Sequence, residues 1–471
     1  MNDVVEGDQP GFTAGQLPLL AQTWTAVAEV DLEAEEALQR LDILAMLDPA
    51  LAVRWFRACR KPHGGFLEAA PDTPKQALRL LGARKAHLLA LSTTTSAGLS
   101  SGVRAGYERC IAHAWLAACL AGDWATVDGT RDSATLAIAA LLHRVGELAL
   151  WNTNDSAALE IRHLCDEQGL PPDEAQYAGL GRSLTEITLT LANEWQLPAL
   201  VGQALIPENA RHPHALLVML ANHIADVLVR TGGTLCSAEV HSLGELLQQD
   251  PESLATRLAA VYARCRAHPW HGGHLWPVSG TRETAHPETA GVCLLPTDAS
   301  YQAGCLWLEE ATGAGADEIV QKTLRILHDG LGLNRVVFAR YLTAMPSLRA
   351  WQLVGTEHDP RFNLFELSLA QPHLFTELME KPHALWVDAD EDTGRWRSVP
   401  DEIKNLISVR AFFSLSVFVA GEPFGLFYAD RRFPACALDA ASFERFVHIG
   451  RLAQAALDGV VESGRSDHRD R

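Results

Sequence analysis

The chain has 471 residues, 48% of them hydrophobic and 21% charged, proportions that exclude wholesale disorder and low-complexity structure. Its 39 lysines and arginines stand against 58 aspartates and glutamates, which gives a net charge of −19. So acidic a chain argues against nucleic acid and against an anionic membrane surface as partners.

The first part of the chain is a polar tail, residues 1–16, followed by a helical domain predicted for residues 17–266. Asp48-Pro49 and Thr73-Pro74 each place an N-cap residue before a proline at the first helical position. The almost wholly apolar stretch 135–150 predicts one buried helix around His143-Arg144. Apolar residues spaced three or four apart predict a single helix over 180–195.

Residues 267–300 are rich in Pro, Gly, His and Thr, which predicts a linker. Three of its histidines have a spacing that would suit a zinc or copper site, namely His268, His271 and His274. Exposed linker histidines are the commoner explanation of such a spacing. Trp270 and Trp276 are expected to pack the linker onto a neighbouring domain.

From residue 301 the periodicity changes, which predicts an α+β domain with an antiparallel sheet over 301–462 and a polar tail over 463–471. Alternating apolar residues over 413–419, a turn at 420–423 and a return strand over 424–429 form the clearest strand signal. The other predicted elements are a helix over 316–331, apolar runs over 335–342 and 350–356, and an amphipathic helix over 438–461.

Nothing in the sequence predicts export or membrane insertion. The acidic N-terminus has neither the basic nor the apolar region of a signal peptide, and no uninterrupted apolar stretch reaches the length of a membrane span. The nine cysteines are an odd number without a C-x-x-C pair, so we expect reduced thiols in a cytoplasmic protein.

Eight segments of the helical part, in order, resemble the HDOD (HD-related output domain) family of bacterial signalling proteins. They are Leu17-Pro18, DPALAVRWFRAC, TPKQALRLLGARKAHLLAL, IAHAWLAACLA, ALLHRVGELAL, GLGRSLTEI, WQLP and LLVMLANHIAD. The resemblance implies an all-helical bundle that is related to HD phosphohydrolases but usually lacks their metal chemistry.

The positions that match the metal ligands of HD enzymes are His113, His143, Arg144 and Asn222. An HD site needs carboxylates because hard divalent cations prefer oxygen ligands, and an arginine cannot ligate a metal. Asp226, one helical turn past Asn222, is the residue that could substitute, whereas Leu184 stands where many members of the family carry a histidine. We therefore expect no metal, no cofactor and no catalysis at these positions.

The hairpin SLSVFVAGEPFGLFYADRR, with the helix and strands before it, resembles a GAF domain; a PAS-like module is the alternative. The resemblance implies a sheet whose face forms a small-molecule pocket, with flanking helices that often dimerise. Cys305 and Cys436 lie near the ends of the domain, outside any chromophore-attachment context. Five residues are our predicted ligand-binding set, with core packing as the alternative: Arg340, Trp351, Phe362, Trp386 and Asp388.

These observations favour a non-catalytic cytoplasmic signalling protein, in which an HDOD output module is coupled to a GAF-like sensor. Its expected partners are other signalling proteins and a small-molecule ligand. One alternative is a metal-dependent HD phosphohydrolase that acts on a (cyclic di)nucleotide through His113, His143 and Asp226. Another is a structural homodimer joined through the 438–461 helix.

Overall fold

A computed structural model of the protein describes residues 17–59, 70–127, 132–167, 170, 172–271, 293–311, 313–357, 359–432 and 436–467. The chain divides into two compact units. The first comprises Met1–His163, Gly179–Ile206 and His212–Thr284; the second comprises Leu164–Ala178, Pro207–Arg211 and Ala285–Arg471. The predicted domain boundaries at 266 and 301 stay predictions.

Helices account for all the regular structure before residue 268, apart from 3₁₀ turns and one isolated bridge, among the residues that the structure describes. They are α1 Ala21–Ala28, α2 Ala37–Leu47, α3 Pro49–Ala58, α4 Pro74–Leu81, α5 Ala83–Leu91, α6 Ser101–Val127, α7 Ser133–Leu142, α8 Val145–Thr153, α9 Asp155–Asp166, α10 Pro172–Leu180, α11 Leu184–Trp195, α12 Ala199–Ala204, α13 Pro213–Thr231, α14 Ser237–Leu247 and α15 Pro251–Ala267. The two predicted N-caps are present, because Asp48 accepts from the Ala50 amide and Thr73 accepts from the Gln76 amide.

Two helices that the sequence predicted as continuous are interrupted. The apolar stretch 135–150 breaks at His143-Arg144, which form a turn between α7 and α8. The predicted helix over 180–195 begins only at Leu184, because Gly181 has a left-handed φ of 69° and Ser183 caps α11 by accepting from the Glu186 amide. Leu180 is therefore the last residue of α10, and its assignment to the same helix as Trp195 was wrong.

The second unit carries one six-stranded antiparallel sheet in the order β3-β2-β1-β6-β5-β4, which confirms the predicted fold class. The strands are β1 Arg335–Leu342, β2 Ser347–Val354, β3 Glu366–Ser368, β4 Ala384–Asp388, β5 Ala411–Val419 and β6 Glu422–Asp430. The helices are α16 Asp298–Glu309, α17 Ala316–Arg325, α18 Leu374–Glu380, α19 Thr393–Arg397, α20 Asp401–Ile407 and α21 Ala440–Asp467. The predicted hairpin is β5–β6, with Ala420 and Gly421 at positive φ in its two-residue turn.

Both faces of this sheet are covered, which follows from the apolar residues at successive positions of its central strands. One face packs Phe413 and Phe427 against Phe446 and Ile449 of α21. Side chains that alternate with these along the strands, among them Phe412, point to the other face and pack against α18 and α20. Each face therefore has its own apolar core within this unit.

One pair of cysteines departs from the expectation of reduced thiols. Cys293 and Cys436, which are 143 residues apart, form a disulfide in the second unit. The expectation was wrong for this pair because the sequence offers no local spacing that reveals so distant a partner.

One segment of the described residues, Ser133–Thr153, is long and apolar enough to cross a membrane, with a mean hydropathy of 1.3. It spans α7 and α8, and 67% of its apolar window is buried inside the protein. The core helices of soluble proteins have the same property, so this segment is weak grounds for a membrane span.

Candidate functional site

The positions that match HD ligands are carried by two helices of the first unit and by one turn. His113 lies in α6, Asn222 and Asp226 lie in α13, and His143 and Arg144 form the turn between α7 and α8. The site therefore depends on the break in the apolar stretch, which the helical periodicity did not predict.

Arg144 is held by two carboxylates. Its Nη1 donates to Asp226 Oδ1 at 2.6 Å, while its Nη2 and Nε donate to Glu147 Oε2 at 2.7 and 3.0 Å. The three side chains are largely buried, with between 15% and 23% of their surface exposed. Charge-assisted hydrogen bonds of this length are strong, so the guanidinium is fixed between the two acids.

Glu147 is the functional residue that the sequence reasoning missed. It lies three positions after Arg144, a spacing that places two side chains on the same helical face and that could have identified the pair. The start of α8 is held close to α11, since the Gly146 amide donates to Thr188 Oγ1 at 3.2 Å. A Cβ at Gly146 would lie 2.9 Å from the Thr188 backbone nitrogen, so this approach requires glycine.

The two histidines beside Arg144 are held in their neutral form. Burial, reinforced by the charge of Arg144, lowers the pKa of His113 to about 4, although its Nδ1 lies 3.6 Å from Asp226 Oδ1. Burial likewise lowers the pKa of His143 to about 4, and its Nε2 donates to the Ala204 carbonyl at 3.2 Å. Both imidazoles are therefore uncharged near pH 7.

The acids around Arg144 remain ionised. Burial alone would raise the pKa of Asp226 and of Glu147, but the charge of the nearby Arg144 lowers both. Burial alone would also lower the pKa of Arg144, but the two acids raise it well above its usual value. The cluster is thus one cation and two anions beside two neutral imidazoles.

The donor set at this site does not fit a divalent metal ion. Asp226, the residue that could have replaced a missing ligand, is committed to Arg144. Asn222 uses its amide within the fold, where Nδ2 donates to the Val218 carbonyl at 3.0 Å and to the Ala140 carbonyl at 3.4 Å. Among the described residues, no three His, Cys, Asp or Glu side chains are grouped so that they could hold a metal ion.

The histidines after α15 pack against an aromatic ring. The imidazoles of His268 and His271 each lie 4.6 Å from the Trp115 ring, centroid to centroid, and burial lowers the pKa of His271 to about 3. His274, the third member of the predicted cluster, lies outside the described residues, as does Trp276.

Trp270 contacts α1, and both belong to the first unit. Its Nε1 donates to Thr23 Oγ1 at 3.1 Å, and its carbonyl accepts from Gln22 Nε2 at 2.8 Å. The segment after α15 therefore returns to the first helix, α1.

The second unit contains a cavity of about 490 Å³ at the edge strand β4. Two of the five predicted ligand-binding residues, Trp386 and Asp388, line it. Phe443 of α21 provides a second ring, 6.2 Å from that of Trp386, and Arg395 of α19 contributes a charged side chain. The volume lies in the range of small-molecule sites.

The other three predicted residues lie elsewhere in the sheet. Arg340 stacks over Trp351 with 4.9 Å between guanidinium and ring, and β2, which carries Trp351, is four strand spacings or roughly 19 Å from β4. Phe362 is fully buried in the apolar core of the opposite face, beneath the Arg335 guanidinium. The five residues therefore do not form one pocket, and Phe362 is a core residue.

The family model of the HDOD domain matches residues 17–209. The MmoQ response regulator of Methylococcus capsulatus strain Bath is similar in structure, with 20% identity over 54% of this chain and 99% of that chain, at a TM-score of 0.38. An HDOD domain protein from Geobacter sulfurreducens has 16% identity over 54% of this chain and 93% of that chain, at a TM-score of 0.31.

A GAF domain/HD domain protein from Geobacter sulfurreducens has 15% identity over 33% of this chain and 96% of that chain, at a TM-score of 0.26. No curated protein matches the chain. At these identities and TM-scores, no function passes from the solved structures to this chain. The family model carries the assignment: residues 17–209 are an HDOD domain, in a chain whose second domain is built on a six-stranded antiparallel sheet.

Proposed function

We propose that the protein is a non-catalytic signal-transduction protein in which the HDOD domain is an output or scaffold module coupled to a GAF-like sensory domain. The observation that carries the proposal is the guanidinium of Arg144, which is bonded to both Asp226 and Glu147. In the HD arrangement that the sequence resembles, the residue at this position is a metal-ligating aspartate.

The chemistry of the cluster supports a scaffold role. A hydrolytic HD site needs a cation that polarises a phosphoryl oxygen and lowers the pKa of a bound water. Here the positive charge belongs to a side chain that cannot bind water as a Lewis acid, and the neighbouring acids are neutralised by it. The alternative, a metal-dependent phosphohydrolase using His113, His143 and Asp226, would require Arg144 to leave both carboxylates.

The first experiment restores the missing acids. Isothermal titration with Mn²⁺ should detect tighter binding to an Arg144→Asp/Asn222→Asp variant than to the wild-type chain, because the variant regains two carboxylates beside His113 and His143. The matched control is Arg84→Asp, an exposed arginine of the same unit, which should bind Mn²⁺ as the wild type does. Equal Mn²⁺ affinity in all three proteins would contradict the role assigned to Arg144.

The second experiment addresses the alternative directly. The wild-type chain is incubated with Mn²⁺ and a cyclic dinucleotide, and product is measured against a His113→Ala variant. We expect no turnover that depends on His113. Hydrolysis that the substitution abolishes would favour the phosphohydrolase.

The sensory role is supported by the cavity at β4 and by the hairpin that resembles GAF domains. Small molecules, beginning with nucleotides, are screened by thermal shift of the full chain, with Trp386→Ala as the cavity variant. A true ligand should raise the melting temperature of the wild type, lose most of that effect in the variant, and change amide exchange in the HDOD domain. A ligand that protects only β4 and α19 would refute the coupling.

A further inference from the structure

Two cysteine thiols lie where α6 packs against α15, and the proposed function uses neither of them. Cys119 of α6 and Cys265 of α15 interact through their side chains where these two helices pack together. The same two helices are joined by the ion pair of Asp123 with Arg257, at 2.5 Å. Asp123 lies one helical turn after Cys119, so this ion pair joins the two helices close to the thiols.

The two thiols differ in access and in acidity. Cys265 has 0% of its surface exposed, whereas Cys119 is only partly buried and is the more accessible of the two. The neighbouring Cys265 thiol lowers the pKa of the Cys119 thiol, and the charge of Arg264 lowers it further against burial and the charge of Asp123. The neighbouring Cys119 thiol and burial raise the pKa of Cys265. Reactive cysteines commonly have this combination of access and thiolate character.

We propose that Cys119 and Cys265 form an oxidisable dithiol, in which a hydroperoxide attacks at Cys119 and Cys265 resolves the product into a disulfide that crosslinks α6 to α15. The inference is independent of the proposed signalling role. It concerns a modification site in the HDOD-containing unit, separate from the disulfide between Cys293 and Cys436.

With hydrogen peroxide as the oxidant, the steps balance as follows. The Cys119 thiolate attacks one peroxide oxygen, the O–O bond breaks, and the leaving hydroxide takes up the proton that Cys119 gave up, which yields a sulfenic acid and one water. The Cys265 sulfur then attacks the Cys119 sulfur, the S–O bond breaks, and hydroxide leaves with the Cys265 proton as a second water. The two sulfurs lose two electrons, the peroxide gains them, and the S–S bond closes at about 2.05 Å.

The crosslink would join α15 to α6, one of the helices that carry the candidate site. α6 carries His113, six residues before Cys119, and α15 is the last long helix before the segment that packs onto Trp115. Oxidation should therefore slow amide exchange in α15, because its separation from α6 would require breaking a covalent bond.

The test uses the full chain, reduced, freed of reductant and exposed to hydrogen peroxide, with disulfides mapped by mass spectrometry without reduction. We expect a peptide pair joined through Cys119 and Cys265, slower exchange in α15, and no such pair in Cys119→Ser. In Cys265→Ser, a sulfenic-acid probe such as dimedone should label Cys119. The matched control is Cys59→Ser: Cys59 is also half-buried, but burial raises its pKa, and the crosslink should form unchanged.

Three results would overturn the proposal. The first is oxidation of Cys119 in the wild type without a bond to Cys265. The second is oxidation of Cys59 as fast as that of Cys119. The third is a crosslink that appears only after the chain is unfolded by denaturant.

Discussion

Replacing Arg144 by methionine should destabilise the HDOD-containing unit strongly. The substitution keeps a long side chain but removes the cation from Asp226 and Glu147, which lie 2.6 and 2.7 Å from the guanidinium and are about four-fifths buried. Breaking a buried pair by removing one partner costs about 3–5 kcal/mol, because the remaining charge is left uncompensated. Part of the cost is relieved if one acid takes up a proton, so the loss should be larger at pH 8 than at pH 5.

The assay is hydrogen exchange of amides in α6, α8 and α13, since a chain of two units does not yield a single unfolding free energy. The control is Arg84→Met, which removes an ion pair whose side chains are 80% and 78% exposed and should change stability by less than about 1 kcal/mol. A triple variant that adds Glu147→Gln and Asp226→Asn to Arg144→Met should recover most of the loss. If Arg144→Met behaved like Arg84→Met, the buried cluster would not be held by the arginine.

Three further predictions follow from burial and close packing. Lowering the pH from about 6.5 to about 4 should destabilise the helical unit by up to about 3 kcal/mol for each of His113 and His143, because they stay neutral in the folded chain and take up protons in the unfolded one. Urea titrations should show a midpoint that falls between pH 6.5 and pH 4, and the fall should be smaller in His113→Asn. The same fall in both proteins would contradict the prediction. Gly146→Ala should lower the melting temperature because its Cβ meets Thr188, whereas Gly102→Ala, which meets no atom within 4 Å, should not; equal losses would refute the close approach of α8 and α11. Arg335→Met should speed amide exchange in β1 and β6, since it leaves the fully buried Asp430 unpaired at a cost of about 3–5 kcal/mol, and unchanged exchange would count against that ion pair.

Local signals in the sequence predicted much of the fold. N-caps followed by proline predicted the starts of α3 and α4, and strict alternation predicted the hairpin, because both signals depend on neighbouring residues. The short strands β3 and β4, of three and five residues, were missed because so few positions do not establish a period.

The candidate site was only partly predictable. The sequence places a cation at position 144 beside two histidines, but it does not give the turn at His143-Arg144, since an all-apolar stretch has no polar face whose loss would reveal a break. The hydrogen bond of Arg144 to Asp226 joins residues 82 positions apart, and the interacting thiols of Cys119 and Cys265 are also distant in the sequence, so only the packed helices bring these residues together. The five residues of the predicted ligand-binding set lie apart for a related reason. They were selected by residue type, and the sequence does not reveal the strand order that separates β2 from β4.

In this protein the proposed non-catalytic role depends on the Arg144 guanidinium, which stands where a metal-dependent HD site would hold its cation. The most direct test is the metal content of the purified full chain after incubation with Mn²⁺ or Fe²⁺ and removal of the free ion, measured by elemental analysis. We expect far less than one bound metal per chain, with no further loss in a His113→Ala/His143→Ala variant. One tightly bound manganese or iron per chain, lost in this variant, would show that the site holds a metal despite Arg144.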